Sequence, residues 1–167
     1  NKYADIYLQI TRGIFKRMHN FPSENILPTI YIIAYERPPY IELSKKGIKA
    51  ITRKDIRWLH CDIKSIALLP NTLLFQEACE KDARECIFIR DGVITEASHS
   101  NVLGVKAGVL FTHPDNNFIL PGITKKVVFQ ICNDLGIYIK ETPVRKEDIY
   151  NLDELFVVST GDDITPV

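Results

Sequence analysis

Apolar positions in this chain come in short blocks separated by polar and proline-rich breaks, a pattern of short strands and helices. Residues 6–11 and 29–35 are rich in β-branched and aromatic side chains, with Asn20, Pro22, Ser23 and Asn25 between them, and predict two strands joined by a polar loop. Glu36-Arg37-Pro38-Pro39-Tyr40 then interrupts the pattern with two prolines, which hold an extended conformation and suit a linker at 37–40. Residues 1–36 are thus expected to be the C-terminal part of a small α/β N-terminal domain, and 41–167 a larger domain. Beyond the linker, Lys49–Thr52 predicts a short strand. Pro70 opens a helix reaching Lys81, with Leu73, Leu74, Glu77 and Ala78 on a mixed face. Cys86–Arg90 and Val93–Thr95, joined by Asp91-Gly92, form the strongest local signal, because Asp-Gly supplies the positive φ values of a tight hairpin. A second hairpin is expected from Val102–Val105 and Val109–Thr112. Val127, Val128, Ile131, Cys132 and Leu135 recur at helical spacing up to Gly136, and Ile137–Lys140 and Leu155–Ser159 read as strands. Hairpins outnumber β-α-β candidates, so an α+β fold is predicted, a mixed sheet or barrel with helices.

Composition narrows the partners. With 46% hydrophobic residues in 167, the chain buries an ordinary core. Its 21 basic and 21 acidic residues balance and are scattered, which argues against a nucleic-acid footprint or an anionic-membrane patch and leaves a small molecule or another protein. Apolar runs such as Ile30–Tyr35 are too short to cross a bilayer and no secretion signal is present, so a soluble, cytoplasmic protein is expected. Cys61, Cys79, Cys86 and Cys132 lie far apart without a C-x-x-C pair and read as reduced thiols. His60, Cys61 and Asp62 are adjacent and cannot all face one ion in regular structure, so no metal site is expected. A start at Asn1, and an end shortly after a strand pattern, suggest a chain incomplete at both ends.

Lys64 is the residue that demands an explanation. It stands among Ile63, Ile66, Ala67, Leu68 and Leu69, where an ammonium group is costly to bury without a purpose. Glu96 follows the first hairpin. Thr124 lies at a helix start and Ser159-Thr160 after a strand, and both places suit a phosphate, because a helix N-terminus offers unpaired N–H groups and hydroxyls add donors. Each residue has a plainer reading: a surface lysine, an exposed carboxylate, local caps. Arg17 and His19, one residue apart, project to the same side if extended, although taken alone they suit a solvated loop. The combination is more telling than its parts. An amine kept uncharged by apolar surroundings attacks aldehydes, a carboxylate holds a pyridine nitrogen protonated, and a phosphate cup anchors the ring. That set describes pyridoxal 5'-phosphate.

Four stretches then resemble the class IV (fold type IV) pyridoxal-phosphate aminotransferases: Arg57 to Pro70 (RWLHCDIKSIALLP), Glu96 to Asn101 (EASHSN), Leu120 to Thr124 (LPGIT) and Glu154 to Val167 (ELFVVSTGDDITPV). Their order and spacing extend over essentially the whole chain, and the class IV aminotransferase fold is the fold implied. The resemblance implies a Schiff base on Lys64, a Glu96 partner for the pyridine nitrogen and Leu120 support for the ring. Ile123, Thr124, Ser159 and Thr160 would hold the phosphate, with Arg57 as a supporting charge. Within the family, Arg17 and His19 are similar to the substrate-carboxylate trap of D-amino acid aminotransferases, where a guanidinium clamps a carboxylate bidentately.

The function implied is transamination of D-amino acids, D-alanine- and D-glutamate-like, with 2-oxo acids, in a homodimer. Aminodeoxychorismate lyase and branched-chain L-amino acid aminotransferase are the other readings within the family, and a non-catalytic relative the reading outside catalysis. Two positions depart from the family pattern: His99 stands where a small serine is common, and Gly161 where a further hydroxyl residue is often found. The upstream stretch in which relatives carry another phosphate-binding arginine and a substrate-facing tyrosine is not in this sequence.

Overall fold

The computed structural model describes residues 3–23, 25–37 and 41–167. Of the expected linker at 37–40, residues 38–40 lie outside the described residues. The chain divides into two compact units, residues 1–39 and 40–167, and each is described by itself.

The first unit is an antiparallel hairpin of β1 (Ala4–Thr11) and β2 (Thr29–Glu36), in register from Ala4↔Glu36 to Thr11↔Thr29. Strand pleating gathers Ile6, Leu8, Ile10, Ile30 and Ile32 on one face, and all five are exposed. Asp5 and Arg37 pair at 3.0 Å near its open end.

The second unit opens with a short helix, α1 (Ile41–Lys46), that the sequence pattern did not suggest. A three-stranded sheet follows: β3 (Ala50–Lys54) runs parallel to β4 (Glu85–Arg90), which pairs antiparallel with β5 (Val93–Ala97). Between β3 and β4 runs α2 (Leu69–Glu80), so this segment is a β-α-β crossover. Leu74 and Ala78 of α2 pack on Cys86 and Phe88 of β4, with Ala83 beside them. The β4–β5 turn is the expected one: Asp91 and Gly92 have φ of 49° and 81°, the left-handed pair of a tight hairpin.

The other sheet has the order β10-β9-β6-β7-β8. β6 (Asn101–Lys106) and β7 (Val109–Thr112) form the second expected hairpin, and β9 (Glu154–Ser159) pairs antiparallel with β6. α3 (Ile123–Asp134) carries the chain from β7 to the parallel β8 (Ile139–Lys140), a second crossover, and lays Val128 and Cys132 on Leu103, Leu110 and Val158. Residues 146–151 form a 3₁₀ helix and β10 (Asp163–Pro166) folds back on β9; the apolar pattern had shown neither, because both are short and polar. A core of Ile87, Ile94, Ala97, Val102 and Val157 joins the two sheets. Among the described residues, no helix is long and apolar enough to cross a membrane.

Candidate active site

Arg57 lies buried just after β3, and the backbone there is fixed by Asp55 N donating to Ile89 O at 2.8 Å. Its guanidinium forks onto Asp55, with Nε to Oδ1 at 3.0 Å and Nη2 to Oδ2 at 2.8 Å. Nη1 donates to Glu96 Oε1, and Nη2 also to Phe118 O at 3.0 Å. The guanidinium carbon stands 4.8 Å over the Phe88 ring. Arg90 and the Thr95 hydroxyl complete the shell of Asp55, at 3.1 Å and 3.0 Å. Burial works against ionising Asp55, but the hydrogen bonds and charge of Arg57, with Arg90, hold its carboxyl at about 2. Those carboxylates in turn push the Arg57 guanidinium up.

Glu96, near the end of β5, is buried too. Its Oε2 accepts from Asn101 Nδ2 at 3.1 Å and from Leu120 N at 3.0 Å, while Oε1 takes Arg57. Burial pushes the Glu96 carboxyl up, against Arg57 and the Leu120 N–H, which pull it down. Arg57, Glu96 and Leu120, which the sequence places far apart, thus meet in one hydrogen-bonded cluster.

Asn101 ties that cluster to the phosphate-type positions. It also donates to Leu120 O at 2.9 Å, and its Cα pairs across the ladder with Val158, the residue before Ser159. Gly122, the N-cap of α3, lies so close that an added Cβ would stand 2.1 Å from Asn101 Oδ1, so any larger residue would displace that amide. The α3 N-terminus carries no side-chain cap, leaving its first N–H groups to other acceptors, with Thr124 half-buried and Ile123 exposed. Ser159 Oγ accepts from Asp162 N at 2.9 Å, which leaves its O–H to donate, and Thr160 is exposed.

Lys64 is not buried as the apolar run had suggested. It lies exposed on an irregular loop whose neighbours Ile63, Ile66, Leu68 and Leu69 are themselves exposed, because the residues between Asp55 and α2 form neither strand nor helix. The loop is nevertheless pinned at both ends. Cys61 N donates to Asn117 O at 2.9 Å, Asn117 Nδ2 returns to Leu59 O at 3.0 Å, and Asn71 Nδ2 holds Ser98 O at 2.8 Å. Lys64 is therefore strung between the loop that carries Leu120 and the end of β5 that carries Glu96. Arg17 and His19 are exposed in the loop between β1 and β2, in the other unit.

Asp55, Asn101 and Gly122 were not singled out by sequence reasoning. Asp55 was findable from its place two residues before Arg57, and Asn101 from ending the E-A-S-H-S-N run; the Gly122 contact is a matter of packing alone.

The residues fit a phosphorylated pyridine. A carboxylate offers about four lone-pair sites, and Glu96 Oε1 uses one, on Arg57, so it retains an acceptor for a ring N–H. The uncapped α3 N-terminus and the Ser159 hydroxyl could donate to a phosphate, and Lys64 offers an accessible amine. Among the described residues no group of His, Cys, Asp and Glu is placed to hold a metal.

Residues 1–167 match the family model for amino-transferase class IV. The chain is 46% identical over 164 residues to a D-alanine aminotransferase of Staphylococcus haemolyticus, a match spanning 97% of this chain and 57% of that protein. It therefore covers little more than half the length of that relative. The branched-chain amino acid aminotransferase of Escherichia coli superposes with a TM-score of 0.83 at 30% identity, over 98% of this chain and 56% of that one. A putative 4-amino-4-deoxychorismate lyase of Legionella pneumophila superposes at 0.81 over 97% of this chain and 60% of that one; at 20% identity, this speaks to the fold alone.

Proposed function

Because the chain belongs to the class IV amino-transferase family, we propose that the full-length protein transfers amino groups from D-amino acids, D-alanine- and D-glutamate-like, to 2-oxo acids with pyridoxal 5'-phosphate. The observation that carries the reading is the Glu96 carboxylate, buried, oriented by Arg57, Asn101 and Leu120 N, and left with a spare acceptor. The name of the S. haemolyticus relative supports D-alanine as a substrate.

In this reading Glu96 would accept a hydrogen bond from the protonated ring nitrogen, Leu120 would support the ring, and Ile123, Thr124, Ser159 and Thr160 would hold the phosphate. When bound, the cofactor supplies an aldehyde carbon and an electron sink for the charge left on the substrate Cα. Lys64 Nζ would be the amine that holds that aldehyde carbon and, after exchange with the substrate's own amine, the base that moves the Cα proton. Its exposure in this chain gives a substrate access to the amine. Asp55 keeps Arg57 aligned, and Arg57 keeps the Glu96 side chain at a fixed angle. Arg17 and His19 bind the substrate carboxylate.

The protein is also inferred to be a cytoplasmic homodimer. Ile56, Leu59, Ile63, Ile66, Leu68 and Leu69 are each more than half exposed, a clustering of apolar side chains along one loop that suits coverage by a second copy.

Incubated with D-alanine and 2-oxoglutarate, the full-length protein should form pyruvate, and Lys64→Ala should abolish turnover. Borohydride should bleach its visible absorbance and leave a reduced adduct on Lys64. Turnover of L-leucine but not D-alanine would move the assignment to branched-chain chemistry, and release of 4-aminobenzoate from aminodeoxychorismate to the lyase. Full activity in Lys64→Ala would sink the mechanism.

A further inference from the structure

A second polar cluster forms where the β5–β6 connection meets the β9–β10 turn, and the mechanism above does not use it. At its centre Glu85, 1% exposed, accepts from Cys86 N at 2.8 Å, Ser98 N at 3.0 Å, Ser100 Oγ at 2.7 Å and the Ser98 hydroxyl. His99 spans outward from this carboxylate. Its Nδ1 lies 3.2 Å from Glu85 Oε2 and 3.3 Å from Ser98 Oγ, and its Nε2 3.3 Å from Asp162 Oδ2.

The contacts of this ring favour its charged form. The Ser98 hydroxyl proton is already given to Glu85, so Nδ1 faces only acceptors, and Nε2 faces a carboxylate. Both nitrogens need a hydrogen to bond, and only the imidazolium carries two. The titratable surroundings agree. The Asp162 hydrogen bond pushes His99 up, burial opposes it, the charges of Glu85 and Asp162 favour it, and Arg84 opposes it. From α2, Phe75 meets the ring edge-on at 5.3 Å, and with Cys79 and Arg84 it lines the same cavity of about 280 Å³.

Asp162 connects this bridge to the Ser159 hydroxyl. Its N–H donates to Ser159 Oγ at 2.9 Å, its carbonyl accepts from Thr165 Oγ1 at 2.9 Å, and Ser159 pairs with Asp163 to close the turn. One of the two departures from the family pattern, His99, thus contacts Asp162, the residue that follows the other, Gly161.

We propose that His99 is a positioning residue: as an imidazolium it ties Asp162 to buried Glu85 and so fixes the turn that presents the Ser159 and Thr160 hydroxyls to a phosphate. The proposal rests on the reading of those hydroxyls as phosphate donors, and it makes their presentation pH-dependent. The bridge holds at low pH and is lost as pH rises through the folded-state value of His99.

Two measurements on the full-length protein test it. In the cofactor-free protein, ¹⁵N NMR of the imidazole should show His99 doubly protonated near pH 6, and Asp162→Asn should lower its titration midpoint and speed amide exchange at position 162. A neutral ring near pH 6, or a midpoint indifferent to Asp162→Asn, overturns the bridge. The dissociation constant of pyridoxal phosphate, followed by protein fluorescence, should be about threefold weaker in His99→Gln than in wild type near pH 6, the size expected of a half-exposed ion pair, with the ratio falling toward one as the imidazolium is lost. A ratio that stays constant with pH overturns the role in presenting the hydroxyls. If wild-type protein binds no pyridoxal phosphate, the reading of the phosphate site fails, and the ring titration alone then upholds or overturns the bridge.

Discussion

Arg57 reaches both carboxylate oxygens of Asp55, with Nε on Oδ1 and Nη2 on Oδ2, in a pair whose side chains are 4% and 0% exposed. The remaining Nη1 is what Glu96 receives, so Asp55 sets the plane in which Glu96 is held. Arg57→Leu would leave buried Glu96 without its counter-charge and Asp55 with Arg90 alone. A loss of about 3–5 kcal/mol in denaturant unfolding is expected, the usual result of breaking a buried pair from one side. An unchanged midpoint would show that Arg90 and water replace it.

The same pair makes stability depend on pH at the acid end. Asp55 is held at about 2, below its unfolded value, so its contribution is full above pH ~4 and disappears as pH falls toward 2. Glu96 is shifted the other way, so its contribution is present below its unfolded value and declines as pH rises through the carboxylate range. Asp55→Asn should therefore flatten the acid limb of a stability profile below pH ~4 specifically; a limb of unchanged steepness would place the acid sensitivity elsewhere.

Glu96→Gln keeps an acceptor and a similar shape but removes the charge. Turnover should fall about 10²–10³-fold, as when one preorganised electrostatic contact is lost, and the thermal midpoint should fall as well, because the Gln amide NH₂ would face either Arg57 Nη1 or the Asn101 and Leu120 donors. Comparable turnover in the variant would argue against the pairing of Glu96 with the cofactor ring.

Gly122→Ala places a methyl group 2.1 Å from Asn101 Oδ1. The amide has to turn away, loosening its bonds to Glu96 and Leu120 O, and about 1–3 kcal/mol of stability should be lost. Asn101→Ala should cost a similar amount, and the double variant less than the sum, because one contact is removed in both.

For Arg17→Ala the expected signature is kinetic: KM for both amino acid and 2-oxo acid up about 10–100-fold, with kcat much less affected, since a carboxylate clamp acts on binding. A fall in kcat alone would assign Arg17 another part in the reaction.

How far the sequence revealed this molecule depends on what kind of signal each part carries. The Asp91-Gly92 and Ala107-Gly108 hairpins were readable because Gly92 and Gly108 supply positive φ between apolar runs, and α2 and α3 because their apolar spacing is local. The strand after Ser159 was not, since Asp163–Pro166 is short, has one large apolar residue and pairs through its backbone. For the site, residue types and order pointed to Lys64, Glu96 and the phosphate positions. The apolar run around Lys64 misled on burial, because a one-dimensional pattern does not distinguish a core from an uncovered face. Asp55 and Asn101 stayed hidden for a related reason. Their importance lies in whom they touch, 40 residues away in the case of Asp55 and Thr95.

The stretch from Glu96 to Asn101 serves two masters. Its ends, Glu96 and Asn101, bond to each other, while Ser98, His99 and Ser100 between them gather on Glu85. Chain length is therefore quantised here. One residue added or removed would rotate one end out of step with the other and disconnect at least one cluster, whereas the exposed Ala107-Gly108 turn has room to absorb such changes. In grafting or shuffling segments among related chains, this hexapeptide has to travel as one piece, together with the glutamate at 85 that it encloses.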